Sequence, residues 1–437
     1  MSDLSQESAR WAFSHVAVSA LKTGQKLRRH PHHQLERMMR SIEAFGIPVP
    51  IVVDANSEVI DGHLVLKAAK KLGLADVPVA RLDDLTEPQA RALRIALNRL
   101  SELGTWDDEA LALELGDLST LVFDVELTGF STSEIDSLFL SPAQPDESLC
   151  SLAPDGPATT RVGDTWMVGN HLITCGDARD PEVIARVLQG QKAQMVFTDP
   201  PYNVPIDGHV AGIQQSRYRE FSMAAGEMTP EQYRFFLEQS LSAMMTSVAP
   251  GAIFFVCIDW KHLEPLLGAG GVLGLELKNI CVWAKTNFGM GSFYRSQTEH
   301  TVVFKAPGPD YIRNFGPGTK GRNRTNLWSY AGMNGFNRGR TEALAMHPTV
   351  KPVALVADAI RDCSKRGGII LDAFAGSGTT LVAAHRTGRQ GRGVEIDPHY
   401  VDVIVRGLEK ETGEEAIRND GVSFLEACAF ATASEPA

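Results

Sequence analysis

Apolar residues recur at helical spacing through LERMMRSIEAFG, a stretch that ends on Gly46 as a helix stop. The short runs PIVVD and EVIDG then alternate as strands around a turn at Ala55-Asn56, and HLVLKAAKKLGL returns to the helical period before the strand VPVARL. EPQARALRIALNRLSEL, DDEALALELGDLSTL and STSEIDSLFL read as further helices, the last opened by a Ser131–Glu134 capping box. Beyond residue 160 the pattern changes. QMVFTDP, GAIFFVCI, NICVWAK, GIILDAF and RGVEID are compact apolar strands. KPVALVADAIRDCS, GSGTTLVAAHRTG and HYVDVIVRGLEKETG are helices between or after them. Such alternation predicts a mostly parallel sheet with helices on both faces.

Residues 141–160, SPAQPDESLCSLAPDGPATT, hold no sustained apolar period and are rich in Pro, Ser and Asp, the composition of a linker. The division expected is 1–105 as an N-terminal domain, 106–160 as a helical segment with its linker, and 161–430 as the larger domain. With 43% hydrophobic and 22% charged residues the chain can bury a core, and no apolar run approaches the roughly 18 residues of a membrane span. The first residues lack a basic region followed by an apolar stretch, so no secretory signal is expected. The six cysteines, Cys150, Cys175, Cys257, Cys281, Cys363 and Cys428, stand singly, as reduced thiols of a cytoplasmic protein do. The net charge of −11 argues against a protein that coats DNA with its whole surface.

Two segments carry chemistry. In Leu371-Asp372-Ala373-Phe374-Ala375-Gly376-Ser377-Gly378-Thr379-Thr380 a strand ends, glycines turn the chain, and a helix begins with its N–H groups free. Glu395 closes the next strand, 17 residues past Gly378, where a carboxylate can accept from both hydroxyls of a ribose. Leu381 stands where a dinucleotide loop would carry its third glycine, and no Gly-Lys-Ser/Thr follows, so a nucleoside without a diphosphate fits best. The second segment, Thr198-Asp199-Pro200-Pro201-Tyr202-Asn203, follows the strand QMVF. The prolines remove two N–H donors and leave carbonyls, Asp199 only accepts, and Tyr202 offers a flat face. A planar base with an amino group suits this set: the amine donates to Asp199 and to the Pro200 carbonyl, and the ring stacks on Tyr202. Such a base must leave the duplex stack first.

Together, DPPY and FAGSGTT resemble the catalytic and cofactor motifs of the DNA amino-methyltransferases. Their order, catalytic before cofactor, is similar to that of the permuted beta subgroup. His347-Pro348-Thr349-Val350-Lys351-Pro352 resembles the family's segment at the methionine end of S-adenosylmethionine. Cys175-Gly176-Asp177 resembles the segment whose Asp meets the cofactor's adenine. Arg295-Ser296-Gln297-Thr298-Glu299-His300 resembles the segment beside the target base. The resemblance implies a Rossmann-like doubly wound α/β sheet that uses S-adenosyl-L-methionine and needs no metal. Asp199, Pro200, Pro201 and Tyr202 are then catalytic. Asp177, Lys351, Asp372, Phe374, Gly376, Gly378, Thr379 and Glu395 hold the cofactor. An Asp at the head of the tetrapeptide implies adenine N6 as target, with cytosine N4 as the alternative. The subgroup's habit implies a homodimer.

Residues 306–346 stand where that subgroup reads its duplex DNA target. Arg313, Lys320, Arg322, Arg324, Arg338 and Arg340 face only Asp310 and Glu342 there, with Tyr311, Phe315, Trp328, Tyr330 and Phe336 interleaved. The DNA-contacting set expected is Arg295, Lys320, Arg322, Arg324, Arg338 and Arg340. Residues 17–100 resemble the ParB N-terminal domain, a smaller α+β unit. Where nucleotide-binding ParB proteins carry arginines, Gly62-His63-Leu64-Val65-Leu66-Lys67-Ala68 has apolar residues, so nucleotide binding does not carry over. A DNA-binding protein with a vestigial methylase domain is the remaining alternative. His30, His32 and His33 read as a solvated loop.

Overall fold

The computed structural model describes residues 11–24, 28, 30–121, 123–139, 157–204, 223–285, 293–315, 324–330 and 351–433. They form two units, Met1–Phe139 and Leu140–Ala437. Among the described residues no helix is long and apolar enough to cross a membrane.

In the first unit a four-stranded sheet runs β1(Trp11–Ala17)-β4(Asp76–Leu82)-β2(Ile51–Asp54)-β3(Val59–Asp61). β2 alternates buried and half-buried, and Ile51, Val53, Val59, Val77 and Val79 form its core with Leu66 of α2 (His63–Leu72). Asp54 makes the predicted turn, its carboxylate accepting from the N–H groups of Asn56 at 2.9 Å and Glu58 at 2.7 Å. Gly46 stops α1 (His32–Phe45) at φ 73°, where its N–H bonds the Ile42 carbonyl. His32 and His33, expected in a loop, are exposed on the first turn of α1, and His32 pairs with Glu36 one turn on at 3.0 Å. α3 (Glu87–Glu102), α4 (Asp108–Thr120) and α5 (Thr132–Leu138) follow, α5 with its Ser131–Glu134 capping box in place.

In the second unit ten strands form one sheet in the order β11-β9-β10-β8-β7-β12-β13-β6-β5-β14. The five central strands are parallel: β8 (Val248–Ile258), β7 (Ala193–Thr198), β12 (Ile369–Asp372), β13 (Gln390–Glu395) and β6 (His171–Cys175). The margins are mixed. β10 (Thr298–Lys305) is antiparallel to both β8 and β9 (Glu276–Ala284), β11 (Leu327–Ser329) lies parallel to β9, and β5 (Thr165–Val168) is antiparallel to β6 and β14 (Ala416–Arg418).

The central strands are apolar along their length because both faces are covered. Met195, Phe197, Ile253, Phe255 and Ile370 point to one core with α9 (Val353–Cys363), α10 (Thr379–Arg386) and α11 (Pro398–Thr412). Val196, Phe254, Val256 and Leu371 point to the other with α6 (Pro181–Leu188), α7 (Pro230–Met245) and α8 (Leu263–Val272). The expected linker ends early. Thr159 and Thr160 are buried, and their N–H groups bond Asp402 of α11 at 2.7 and 3.0 Å. Most of the linker lies outside the described residues. α12 (Phe424–Ala433) closes the chain.

From β7 the chain proceeds through α7 to β8 on one side, and from the adjacent β12 through α10 to β13 on the other. The two crossovers diverge on opposite faces. This leaves a crevice beyond the carboxyl ends of β7 and β12, where doubly wound sheets place ligands.

Candidate active site at the carboxyl end of the sheet

Both sequence motifs open onto this crevice, one from each neighbouring strand. After β12, Gly376 and Gly378 take φ 51° and 83°, and Gly378 closes a tight turn onto the Ala375 carbonyl at 2.7 Å. A Cβ on Gly378 would stand 3.2 Å from Ile404 of α11, so the loop is seated against that helix. Thr379 is buried at the start of α10. Phe374 packs on Phe236 of α7 at 5.8 Å between ring centroids.

Glu395, at the end of β13, lines the same rim. Its carboxylate accepts the Gly376 N–H at 2.9 Å and the Asp397 N–H at 2.9 Å. Burial outweighs these bonds and pushes its pKa up to about 7. Its main-chain carbonyl accepts the Gly176 N–H at 2.9 Å, which sets Asp177 beside it. Arg179 grips Asp177 at 2.7 and 3.1 Å. Burial opposes ionisation of Asp177, but the Arg179 bonds win and hold it below the usual carboxylate range.

Asp372 departs from its expected place among the cofactor residues. It turns inward, 3% exposed, and accepts from Thr198 Oγ1 at 3.0 Å and from the Phe374 N–H at 3.0 Å. It therefore ties the last residue of β7 to the glycine loop, joining the two motifs by one hydrogen bond. Burial pushes its carboxyl up to about 6.

After β7, Tyr202 Oη donates to Asp199 Oδ1 at 2.6 Å. The Pro201 carbonyl is taken by Tyr233 Oη at 2.9 Å, and among the described residues nothing donates to the Pro200 carbonyl. Asn203, at φ 53°, pins the far side of the loop: its amide donates to the Met228 carbonyl at 2.8 Å and accepts from the Gly226 and Met228 N–H groups. Lys351 reaches this loop rather than the glycine turn. Its Nζ donates to Asp199 Oδ2 at 2.5 Å and to Tyr202 Oη at 3.0 Å, and lies 3.1 Å from Glu299 Oε2. Lys285 holds the other oxygen of Glu299.

The result is two carboxylates and two ammonium groups packed together with no net charge. Burial disfavours the Lys351 ammonium, but Asp199 and Glu299 more than compensate and keep it protonated. Burial and the charge of Glu299 push Asp199 up, against the pull of Lys351. Burial works against Glu299 too, yet the two lysines bring its pKa down to about 2.

The expected DNA-contacting residues fare differently. Arg295 is exposed just ahead of β10. Lys320, Arg322, Arg338 and Arg340 lie outside the described residues, as do His347 to Val350 of the segment before Lys351. Arg324 is a correction. It faces inward, pairs with Asp358 at 3.0 Å and Asp362 at 3.2 Å of α9, and bonds Tyr330 Oη at 3.1 Å, so its charge is spent within the fold. Glu299 sat inside the quoted RSQTEH segment without a role. Lys285, Thr198, Asn203 and Tyr233 had none either, although a glutamate at the head of an apolar strand was a usable signal.

Residues 193–406 match a family of DNA methylases that modify base N6 or N4 amines, residues 2–99 match the ParB N-terminal domain, and residues 109–162 match the ParB-methyltransferase HTH domain. The last was read from sequence only as helices and linker. Among curated relatives, the type II methyltransferase M.ScaI of Streptomyces caespitosus is 40% identical over 92 residues, 21% of this chain and 30% of that protein. The type II methyltransferase M.HpaI of Haemophilus parainfluenzae is 24% identical over 239 residues, 51% of this chain and 70% of that protein. The crystal structure of the M1.HpyAVI–SAM complex is similar at 21% identity and a TM-score of 0.39, over 54% of this chain and 98% of that one.

Proposed function

This chain belongs, over residues 193–406, to the N6/N4 class of DNA methylases, and on that premise we propose that it methylates the N6 amine of adenine in duplex DNA with S-adenosylmethionine as donor. The observation that carries the reading is the Thr198–Asp372 bond, which fixes the Asp199–Tyr202 loop beside the glycine loop at the switch point of the sheet. An acceptor for an amine and a cradle for a nucleoside thus share one crevice.

The residues present fit the cofactor. Glu395 keeps a lone pair on each oxygen for ribose hydroxyls, and Phe374, Gly376, Gly378 and Thr379 form the wall opposite. Asp177 stands on the neighbouring strand end. When bound, S-adenosylmethionine supplies an electrophilic methyl group. The chain does the rest. Asp199 and the Pro200 carbonyl accept the two amine protons and fix the nitrogen lone pair in one direction. The Tyr202 ring offers a stacking face to a base turned out of the helix. Asp199, whose proton affinity burial has raised, receives the proton that the nitrogen gives up. The metal-free direct transfer needs no enzyme nucleophile. The ParB-like unit, the HTH segment and the cations around 306–346 supply duplex contacts, and the methyl-transfer domain spans 161–430.

The test is nucleoside mass spectrometry of unmethylated DNA incubated with the chain and S-adenosylmethionine. N6-methyladenine is expected. N4-methylcytosine would keep the chemistry and overturn the choice of base, and no modified base on varied duplexes would overturn the reading.

The raised Glu395 adds a pH dependence. Its protonated form accepts poorly, so cofactor binding requires ionisation first. Affinity should weaken about tenfold per pH unit below 7 and level off above it. Calorimetry between pH 5.5 and 8 should show this slope in the wild type and lose it in Glu395→Gln. A slope retained in the variant removes Glu395 from the cofactor site.

A further inference from the structure

Resting on the reading above, Asp199 poses a difficulty. The carboxylate that must accept the target amine is already occupied on both oxygens, by Lys351 Nζ at 2.5 Å and Tyr202 Oη at 2.6 Å. An incoming amine is neutral. It can replace a hydrogen bond on Asp199 but cannot replace a charge, and a buried ammonium displaced without a partner would be strongly unfavourable. Lys351 is only 5% exposed, so it cannot retreat to water.

Glu299 answers this. Its Oε1 is held by Lys285, while its Oε2 lies 3.1 Å from Lys351 Nζ, buried and without a well-directed hydrogen bond. An acceptor with spare capacity therefore sits beside the one cation that has to move. We infer that Glu299 is a positioning residue: it takes over Lys351 when the target amine occupies Asp199, so that the base enters without stranding a buried charge. Lys285 anchors Glu299 for this exchange, and β10, which carries Glu299, registers against β8 with His300 opposite Ile258, at the same carboxyl edge. No bond is made or broken beyond hydrogen bonds, and the count of two acids and two lysines is unchanged.

The test is Glu299→Gln in the full chain, assayed with tritiated S-adenosylmethionine and duplex DNA. Wild-type transfer to DNA comes first; its absence would overturn the parent reading, and this inference with it. Given that activity, Glu299→Gln is expected to lower kcat at least tenfold with cofactor affinity within twofold of wild type. The acid limb of the kcat profile should move to lower pH. The groups facing Asp199 are Lys351, Tyr202, Cys257 and Glu299; without the charge of Glu299, Lys351 grips Asp199 alone and lowers its pKa. A merely structural residue would not move that limb. Should the glutamine variant not fold, Glu299→Asp keeps the charge and is expected to retain a rate between wild type and one tenth of it, with its acid limb near the wild-type position. Unchanged kcat in Glu299→Gln, a fall in kcat with the limb unmoved, or a Glu299→Asp variant that folds with less than a hundredth of wild-type activity overturns the proposal.

Discussion

Asp199→Ala is expected to lower methyl transfer by at least about a thousandfold while leaving S-adenosylmethionine affinity within a few fold of wild type. The loss comes from two effects. Removing one well-aimed acceptor from a buried site costs about a hundred- to a thousandfold in rate. The same carboxylate is also the acceptor for the proton released by the nitrogen. The cofactor residues lie on β12, β13 and β6, separate from Asp199, so their grip should survive. Asp199→Asn is the stricter variant. It keeps the shape, but its amide turns an N–H donor toward an amine that needs an acceptor, and it should be as inactive as the alanine. Single-turnover kinetics beside equilibrium cofactor binding measure both arms. A near-wild-type rate in either variant would remove Asp199 from the mechanism.

The largest effect on stability is expected at Gly251, on β8. The residue sits at φ 77°, and a Cβ there would lie 1.6 Å from the Asp310 carbonyl oxygen, a backbone atom that no rotamer change can move aside. The close approach is fixed by the Gly251 N–H bonding the Pro307 carbonyl at 3.1 Å. Left-handed strain alone is worth about 1–2 kcal/mol in a residue with a side chain. With the overlap added, Gly251→Ala should cost about 3 kcal/mol or more. Thermal unfolding should then shift down by about 6–12 °C for a unit of this size. Gly271, within α8, is the control: a Cβ there meets nothing within 4 Å, and alanine should be neutral or mildly stabilising. Equal melting temperatures for the Gly251 variant and wild type would contradict this account.

What could be read in the sequence was what is written contiguously. QMVF, IILD and AIFFVCI announce themselves because two cores demand apolar residues on both faces of a strand. DPPY and FAGSGTT are each a strand end followed by a turn. β1 escaped notice because it is an edge strand held by its ladder to β4, with Phe13 71% exposed and no buried alternation to signal it. The β5–β6 hairpin has short strands, though its Gly169-Asn170 turn was a signal that could have found it. The mixed margins of the sheet depend on pairing among β9, β10 and β8, which no local pattern encodes.

The charged cluster was hidden for the same reason. Lys285, Glu299 and Lys351 are distant in the chain and meet only once the strands register. Arg324 shows the converse: counting cations in 306–346 registers a positive charge but not that Asp358 and Asp362, a helix away, neutralise it.

The balanced cluster around Asp199 also separates two responses to ionic strength. Dissolved salt screens charges that water can reach, over about 10 Å at 0.1 M. A buried set of two acids and two lysines presents neither net charge nor access to that screening. Contacts to phosphates do both, and each displaces counterions from the duplex. Added salt therefore acts on how tightly DNA is held and leaves the chemical step alone, so the salt dependence of turnover reports on the encounter with DNA and not on methyl transfer.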